Sequence, residues 1–209
     1  MRKTGLVFVC LMCVLLLASC AEKDATGIPS EIEIVNIPTD RDIYSDLQQV
    51  EANSTIIVEA VAKENLGQDV STHFDNELQK DLPDYGYTRW EIEVTKVYKG
   101  DVKVGDKVVL LQDYYIWTYP DGKQQLVTFT SLKPVVKNNK YLLFLVYDHN
   151  LQGYCAVGDY EGMFAIPTKE IKEKTKAGEL EQSDFEVYNY ETLHYLIPIY
   201  NEVAQKYFN

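Results

Sequence analysis

The sequence predicts a mainly β (α+β) fold: a small antiparallel barrel of five to six short strands, a short helix before it and a longer helix behind it. Three observations carry that reading. Apolar and polar residues alternate over short runs between residues 54 and 166, the two-residue period of a half-buried strand. The Gly-Asp pairs at Gly100-Asp101 and Gly105-Asp106 and one Pro-Asp-Gly punctuate those runs where turns are needed. Helical spacing of apolar residues shows at the two ends, in "RDIYSDLQQVEANS" and "NYETLHYLIPIYNEVAQKYFN".

The chain opens on "MRKTGLVFVCLMCVLLLASC". Arg2 and Lys3 precede an apolar run from Leu6 to Ala18. That run is shorter than the roughly 20 residues a spanning helix needs, and it fits a secretory signal peptide over residues 1–19, set apart from fold reasoning. Leu17-Ala18-Ser19-Cys20 resembles the bacterial lipobox. The resemblance implies cleavage before Cys20 and a lipid on its sulfur. Such a lipoprotein is anchored to the cell membrane and faces the extracytoplasmic side. Several acyl chains on one residue give durable anchoring where one gives only marginal residence. Residues 20–41 then read mainly as a tether, with a reach of about 25 Å; Ile32, Ile34, Val35 and Ile37 allow an edge strand within it. Residues 42–209 form a single domain.

Charge narrows the partners. The formal net charge is −12, and loss of Arg2 and Lys3 with the leader takes it to −14. No nucleic acid is expected, because displacing condensed counterions needs lysine and arginine. Of four cysteines, Cys10 and Cys13 leave with the leader and Cys20 takes the lipid. Cys155, in "GYCAVG", then stands alone, expected as a small buried hydrophobe, so the domain has no intramolecular disulfide.

The first helix is expected over "RDIYSDLQQVEANS", capped by Asp42 or Ser45 and spaced by Ile43, Leu47 and Val50. A strand covered on both faces follows from Ser54 to Glu64. Asn65 to Gly86, polar and acidic, reads as an insertion loop with a helical turn near Phe74 to Leu78. "YTRWEIEVTKVYKG" resumes the alternation with Trp90, Ile92 and Val94; Val97 falls out of phase, so a bulge is expected near Thr95-Lys96. Gly100-Asp101 and Gly105-Asp106 bound a short lip leading into the strand "DKVVLLQDYYI". The two glycines do not make a phosphate cradle, because Asp106 holds the place of its lysine. "QQLVTFTSL" is a further strand, Tyr141 to Tyr147 the most buried one, and "GYCAVGDYEGMFAIP" two short strands around Asp159 to Glu161. Thr168 to Ser183 is a solvated helix or loop. The last helix carries a stripe of Leu193, Leu196, Ile197, Tyr200, Val203, Ala204 and Tyr207, kinked or broken near Pro198.

"STIIVEAVAKE", "WEIEVTKVYKGDVKVGDKVVLL" and "NNKYLLFLVYD" resemble the OB-like barrel of netrin-like and metalloproteinase-inhibitor domains. The resemblance implies an OB-like fold over about Ser54 to Ile166. Those inhibitors use an unmodified N-terminal cysteine and disulfide staples; here Cys20 is expected to be acylated and no staples are expected, which tells against their mechanism.

Candidate binding residues are Tyr114, Tyr115, Trp117 and Tyr119 in "DYYIWTYPDG", an aromatic platform for a protein, peptide or sugar partner if the hairpin tip is exposed, and barrel caps if it is not. His73, Asp75 and Glu77 alternate as metal ligands would on a strand, and Asp69, Asp75, Glu77, Asp81 and Asp84 offer carboxylates, but none follows calcium-loop spacing. No metal or other cofactor is expected. His149 lies in a turn and His194 on the polar face of the last helix. No GxSxG, HExxH or SxxK occurs, so no catalytic residue is assigned. The resulting expectation is a membrane-anchored lipoprotein with a binding or accessory domain. The competing classes are an envelope-associated hydrolase with an acidic cleft and a protease-inhibitor-like module.

Overall fold

The computed structural model describes residues 28–29, 31–37, 39–40, 42–130, 132–158, 160–181, 184–185, 187 and 193–208. The expected leader, the lipobox and Cys20 lie outside the described residues.

Among the described residues the fold is mainly β with three helices. In chain order the elements are β1 (Glu33–Asn36), α1 (Leu47–Asn53), β2 (Ile56–Asp75), β3 (Lys80–Lys99), β4 (Lys107–Gln112), β5 (Tyr114–Thr118), β6 (Gln124–Thr128), β7 (Lys140–Asp148), β8 (Gly153–Ala156), β9 (Met163–Ala165), α2 (Lys169–Ala177) and α3 (Leu193–Tyr207). The larger sheet runs β2-β3-β4-β8-β7-β9, and β2 also pairs with β7. Five strands therefore close into a ring, with β9 attached to β7 as a sixth. The smaller sheet runs β1-β6-β5.

Register explains the core. Ala60 sits opposite Val94 and Ala62 opposite Ile92, so these residues share the ring's inner face with Trp90. Val58 opposite Leu143 continues that face, while Ile57 opposite Phe144 lies on the other. Phe144 is also fully buried, because α3 covers the outside: its ring meets Tyr207 edge-on at 5.6 Å. Each side chain buried this completely contributes about 1.5–3 kcal/mol. β7 thus has core on both faces, as the unbroken apolar run predicts. Thr95 is skipped between the Glu59–Lys96 and Ala60–Val94 pairs, the expected bulge, and Tyr98 is skipped in a second. Both increase strand coiling and so help five strands close.

Gly100 (φ +98°) and Gly105 (φ +92°) turn the chain from β3 into β4. At Gly100 a Cβ would stand 2.5 Å from Ile56 Cγ2, so closeness as well as conformation requires glycine. The Asp106 amide donates to the Lys103 carbonyl at 3.0 Å and closes the lip.

Several expectations are corrected. Asn65 to Gly86 is a continuous β-hairpin arm: β2 and β3 pair from Asn65–Trp90 out to Asp75–Lys80. The run Val70-Ser71-Thr72-His73-Phe74 has β-forming side chains, and cross-strand pairing outweighs its polarity. "DKVVLLQDYYI" is two strands, because the chain leaves one sheet at Asp113 and enters the other. Pairing is not wholly antiparallel; β4–β8 and β1–β6 are parallel. The cap of α1 is Asp46, whose carboxylate accepts from the Gln49 amide at 2.9 Å, and Ile43 stays exposed outside the helix. Of the kink or break expected near Pro198, the break does not occur: α3 is one helix through that residue. Proline sits in its second turn, so the turn ahead of it is too short to stand as a separate piece. Part of the expected tether is built in: β1 pairs with β6, and Ile28 is buried.

Candidate functional site

The hairpin β5–β6 and the root of the arm meet in one shared surface. Strand alternation divides the four predicted aromatics. Tyr114 is buried with Ile28 and Leu126; its hydroxyl accepts the Trp90 indole N–H at 2.9 Å, and its carbonyl accepts Thr88 Oγ1 at 2.7 Å. Tyr115, on the opposite face, is 1% exposed beside Phe129 and Val127. A Cβ on Gly86 would stand 2.6 Å from its ring, so the arm passes this ring as bare backbone. These two rings join the core and cannot reach a partner without rearrangement. Trp117 and Tyr119 are half-buried. Trp117 packs on the Tyr115 cluster with Val70 of the arm, and Tyr119 donates to Gln125 Oε1 at 2.6 Å.

Side chains from both sides fasten the arm to the hairpin. The Gln68 carboxamide donates to the Ile116 carbonyl at 2.9 Å and accepts from the Ile116 amide at 2.8 Å, so one side chain substitutes for a strand along the β5 edge. The Tyr85 hydroxyl donates to Asp113 Oδ1 at 2.9 Å, and its ring lies 5.0 Å from Phe129. Arg89 gathers three neighbours: Nε donates to Asp69 at 2.8 Å, and Nη2 to the Tyr87 hydroxyl and the Leu151 carbonyl, each at 3.1 Å. Hydrogen bonding from Arg89 holds the Asp69 carboxyl below its usual range. Leu151 lies in the turn between β7 and β8, so Arg89 ties that turn to the arm.

Beyond this root the arm stands in solvent. At its end Asp75 Oδ1 accepts the Glu77 and Leu78 amides, each at 2.8 Å. His73 Nδ1 lies 2.6 Å from Asp84 Oδ1. Phe74 and Leu78 are more than half exposed. His73, Asp75 and Asp84 are thus engaged locally, as Asp69 is with Arg89, and among the described residues no three His, Cys, Asp or Glu side chains converge to hold a metal. His149 is exposed in the β7–β8 turn, edge-on to Tyr147 at 5.0 Å. The His194 side chain lies outside the described residues. Cys155 remains a thiol, half-buried on β8 opposite Val146.

Sequence reading missed the arm as an element, and with it Gln68, Tyr85 and Arg89. It also missed two interior carboxylates. Glu161 is fully buried and accepts the Tyr44 and Tyr160 amides at 3.0 and 3.1 Å. Glu59 accepts the Tyr98 hydroxyl at 2.6 Å and pairs with Lys140, with Lys96 at 3.7 Å. Burial alone raises a carboxyl; at Glu59 the hydrogen bonds from Lys140 and Tyr98 outweigh it and hold the group below its usual range. Both carboxylates brace neighbouring segments, and neither pattern could be told in the sequence from ordinary surface acid.

The arrangement suits recognition: half-exposed rings, an arginine fixed in place and an acidic arm around a rigid base. No protein-family model and no curated protein matches the chain.

Proposed function

We propose that the protein is a lipoprotein, anchored through a lipid on Cys20 at the extracytoplasmic side of the cell membrane, whose OB-like barrel is a binding module. The strand order is the observation that carries the barrel reading. Counting from β2, the ring runs first-second-third-fifth-fourth and back to first, with the third and fifth parallel. An OB-like barrel is wound in this way, and it binds ligands on its second and third strands and on the loops after the first and fourth. Here those loops are the arm and the turn at Leu151, which Arg89 joins. The proposed surface is therefore Tyr85, Tyr87 and Arg89 together with Trp117 and Tyr119, facing a protein, peptide or sugar. The chain's −12 charge argues against nucleic acid on the same surface.

The anchor and the module are tested separately. Cys20→Ala is expected to move the protein from the membrane to the soluble fraction; unchanged retention refutes the anchor. Crosslinking the tethered protein in its native membrane identifies partners. Trp117→Ala and Arg89→Ala should each reduce capture of the same partner at least fivefold. Capture that survives both refutes this surface.

A further inference from the structure

A groove of about 720 Å³ lies between α2 and α3, away from the hairpin and the arm. Tyr200, Ala204 and Phe208 of the C-terminal segment form its apolar floor, and α2 supplies Lys172 and Lys176 along its wall. Two independent features mark it out. The first is packing. α2 buries none of its residues, although amphipathic helices normally bury an apolar stripe. Ile171 packs half-buried on the core, and polar contacts complete the attachment: Lys174 Nζ to Asp184 at 2.8 Å, and Lys172 Nζ to the Phe208 carbonyl at 2.8 Å. Protein interiors are close-packed; α2 rests on the core through Ile171, and the groove opens beside that contact along Tyr200, Ala204 and Phe208.

The second feature is charge. The chain carries −12, yet among the described residues the groove is lined by two lysines and by no aspartate or glutamate. Lys176 makes no ion pair among the described residues. Lys172 spends one of its three N–H donors on Phe208, leaving two for a ligand. The volume falls in the range of small-molecule sites, about 300–1,000 Å³.

We infer that this groove binds a single-chain anionic amphiphile. Its negative head lies against Lys172 and Lys176, and its apolar body along Tyr200, Ala204 and Phe208. The cationic wall selects the sign of the head, and the floor requires the chain, so neither a small anion nor an uncharged chain satisfies the site alone.

Isothermal titration of the purified protein with dodecanoate, well below its micelle-forming concentration, tests this. One-to-one saturable binding is expected, with propionate and dodecyltrimethylammonium each at least tenfold weaker. The K172E/K176E double variant should lose at least tenfold in dodecanoate affinity. So should Asn201→Trp, which fills the groove from an exposed position on α3. Circular dichroism and Tm should stay unchanged in both. Equal affinity for the two head-group charges, wild-type affinity in both variants, or binding to anionic phospholipid vesicles with none to dodecanoate would each overturn the inference.

Discussion

Replacing Gly86 with alanine tests whether the arm root is packed structure. The added Cβ would lie 2.6 Å from Tyr115 Cδ1, 2.9 Å from its Cγ and 2.9 Å from the Asp69 carbonyl oxygen. None of these can yield cheaply. The Tyr115 ring is 1% exposed, wedged by Phe129 and Val127, and the Asp69 carbonyl belongs to the partner strand. Overpacking of this kind costs about 1–3 kcal/mol. For a chain of this size each kcal/mol lowers Tm by about 2–4 °C. Urea unfolding with an unchanged m-value gives the free energy directly. The alternative has the opposite sign. In a loose loop, which the residues from Asn65 to Gly86 suggest by composition, Gly→Ala leaves stability unchanged or raises it by about 0.4–1 kcal/mol through the unfolded state. A neutral or stabilised Gly86→Ala protein therefore refutes the packed arm. A double variant with Tyr115→Leu should recover part of the loss, since the ring supplies two of the three close contacts.

The two exposure classes in the hairpin should separate: Tyr115→Ala is expected to cost about 3–5 kcal/mol, and Trp117→Ala clearly less, both read from urea midpoints. Glu59, with its carboxyl held below the ordinary range in the fold, contributes stability above the unfolded value of 4.5 that is lost as pH falls through its folded value. In Glu59→Gln the acid limb of a stability–pH curve should become shallower, by at most about 1.4 kcal/mol per pH unit for one proton; an identical slope would refute that role. Tyr207→Phe removes the hydroxyl that donates to Glu51 at 2.6 Å and should cost about 0.5–1.5 kcal/mol in the same assay. Gly100→Ala, which meets Ile56 and a positive φ together, should destabilise more than Gly105→Ala, where a Cβ meets open space.

What could be read from the sequence follows from how local each cause is. β7 was legible because Tyr141 to Tyr147 is apolar without interruption. The bulge at Thr95 was legible because Val97 breaks phase with Val94. Gly100 and Gly105 were legible as corners. The arm was not, since Asp69, Asp75, Glu77, Asp81 and Asp84 dilute an alternation that pairing with β3 alone makes visible. The division of Tyr114 and Tyr115 from Trp117 and Tyr119 depended on a second sheet, and its boundary at Asp113 carries no glycine or proline. The roles of Glu59 and Glu161 depended on partners far along the chain, Lys140 and Tyr44, which no local pattern announces.

The contact between Ile56–Val61 and Lys140–Leu145 is also a seam in time. A chain made from its N-terminus has β2 long before the strand that completes it, and the hairpin between them can form while the interior stays wet. Pairings this distant in sequence slow folding. A nascent chain ending before Lys140 should therefore show amide protection in the arm and none in Val58 or Ala60. Until β7 emerges, β2 keeps one edge unpaired and the ring stays open to water.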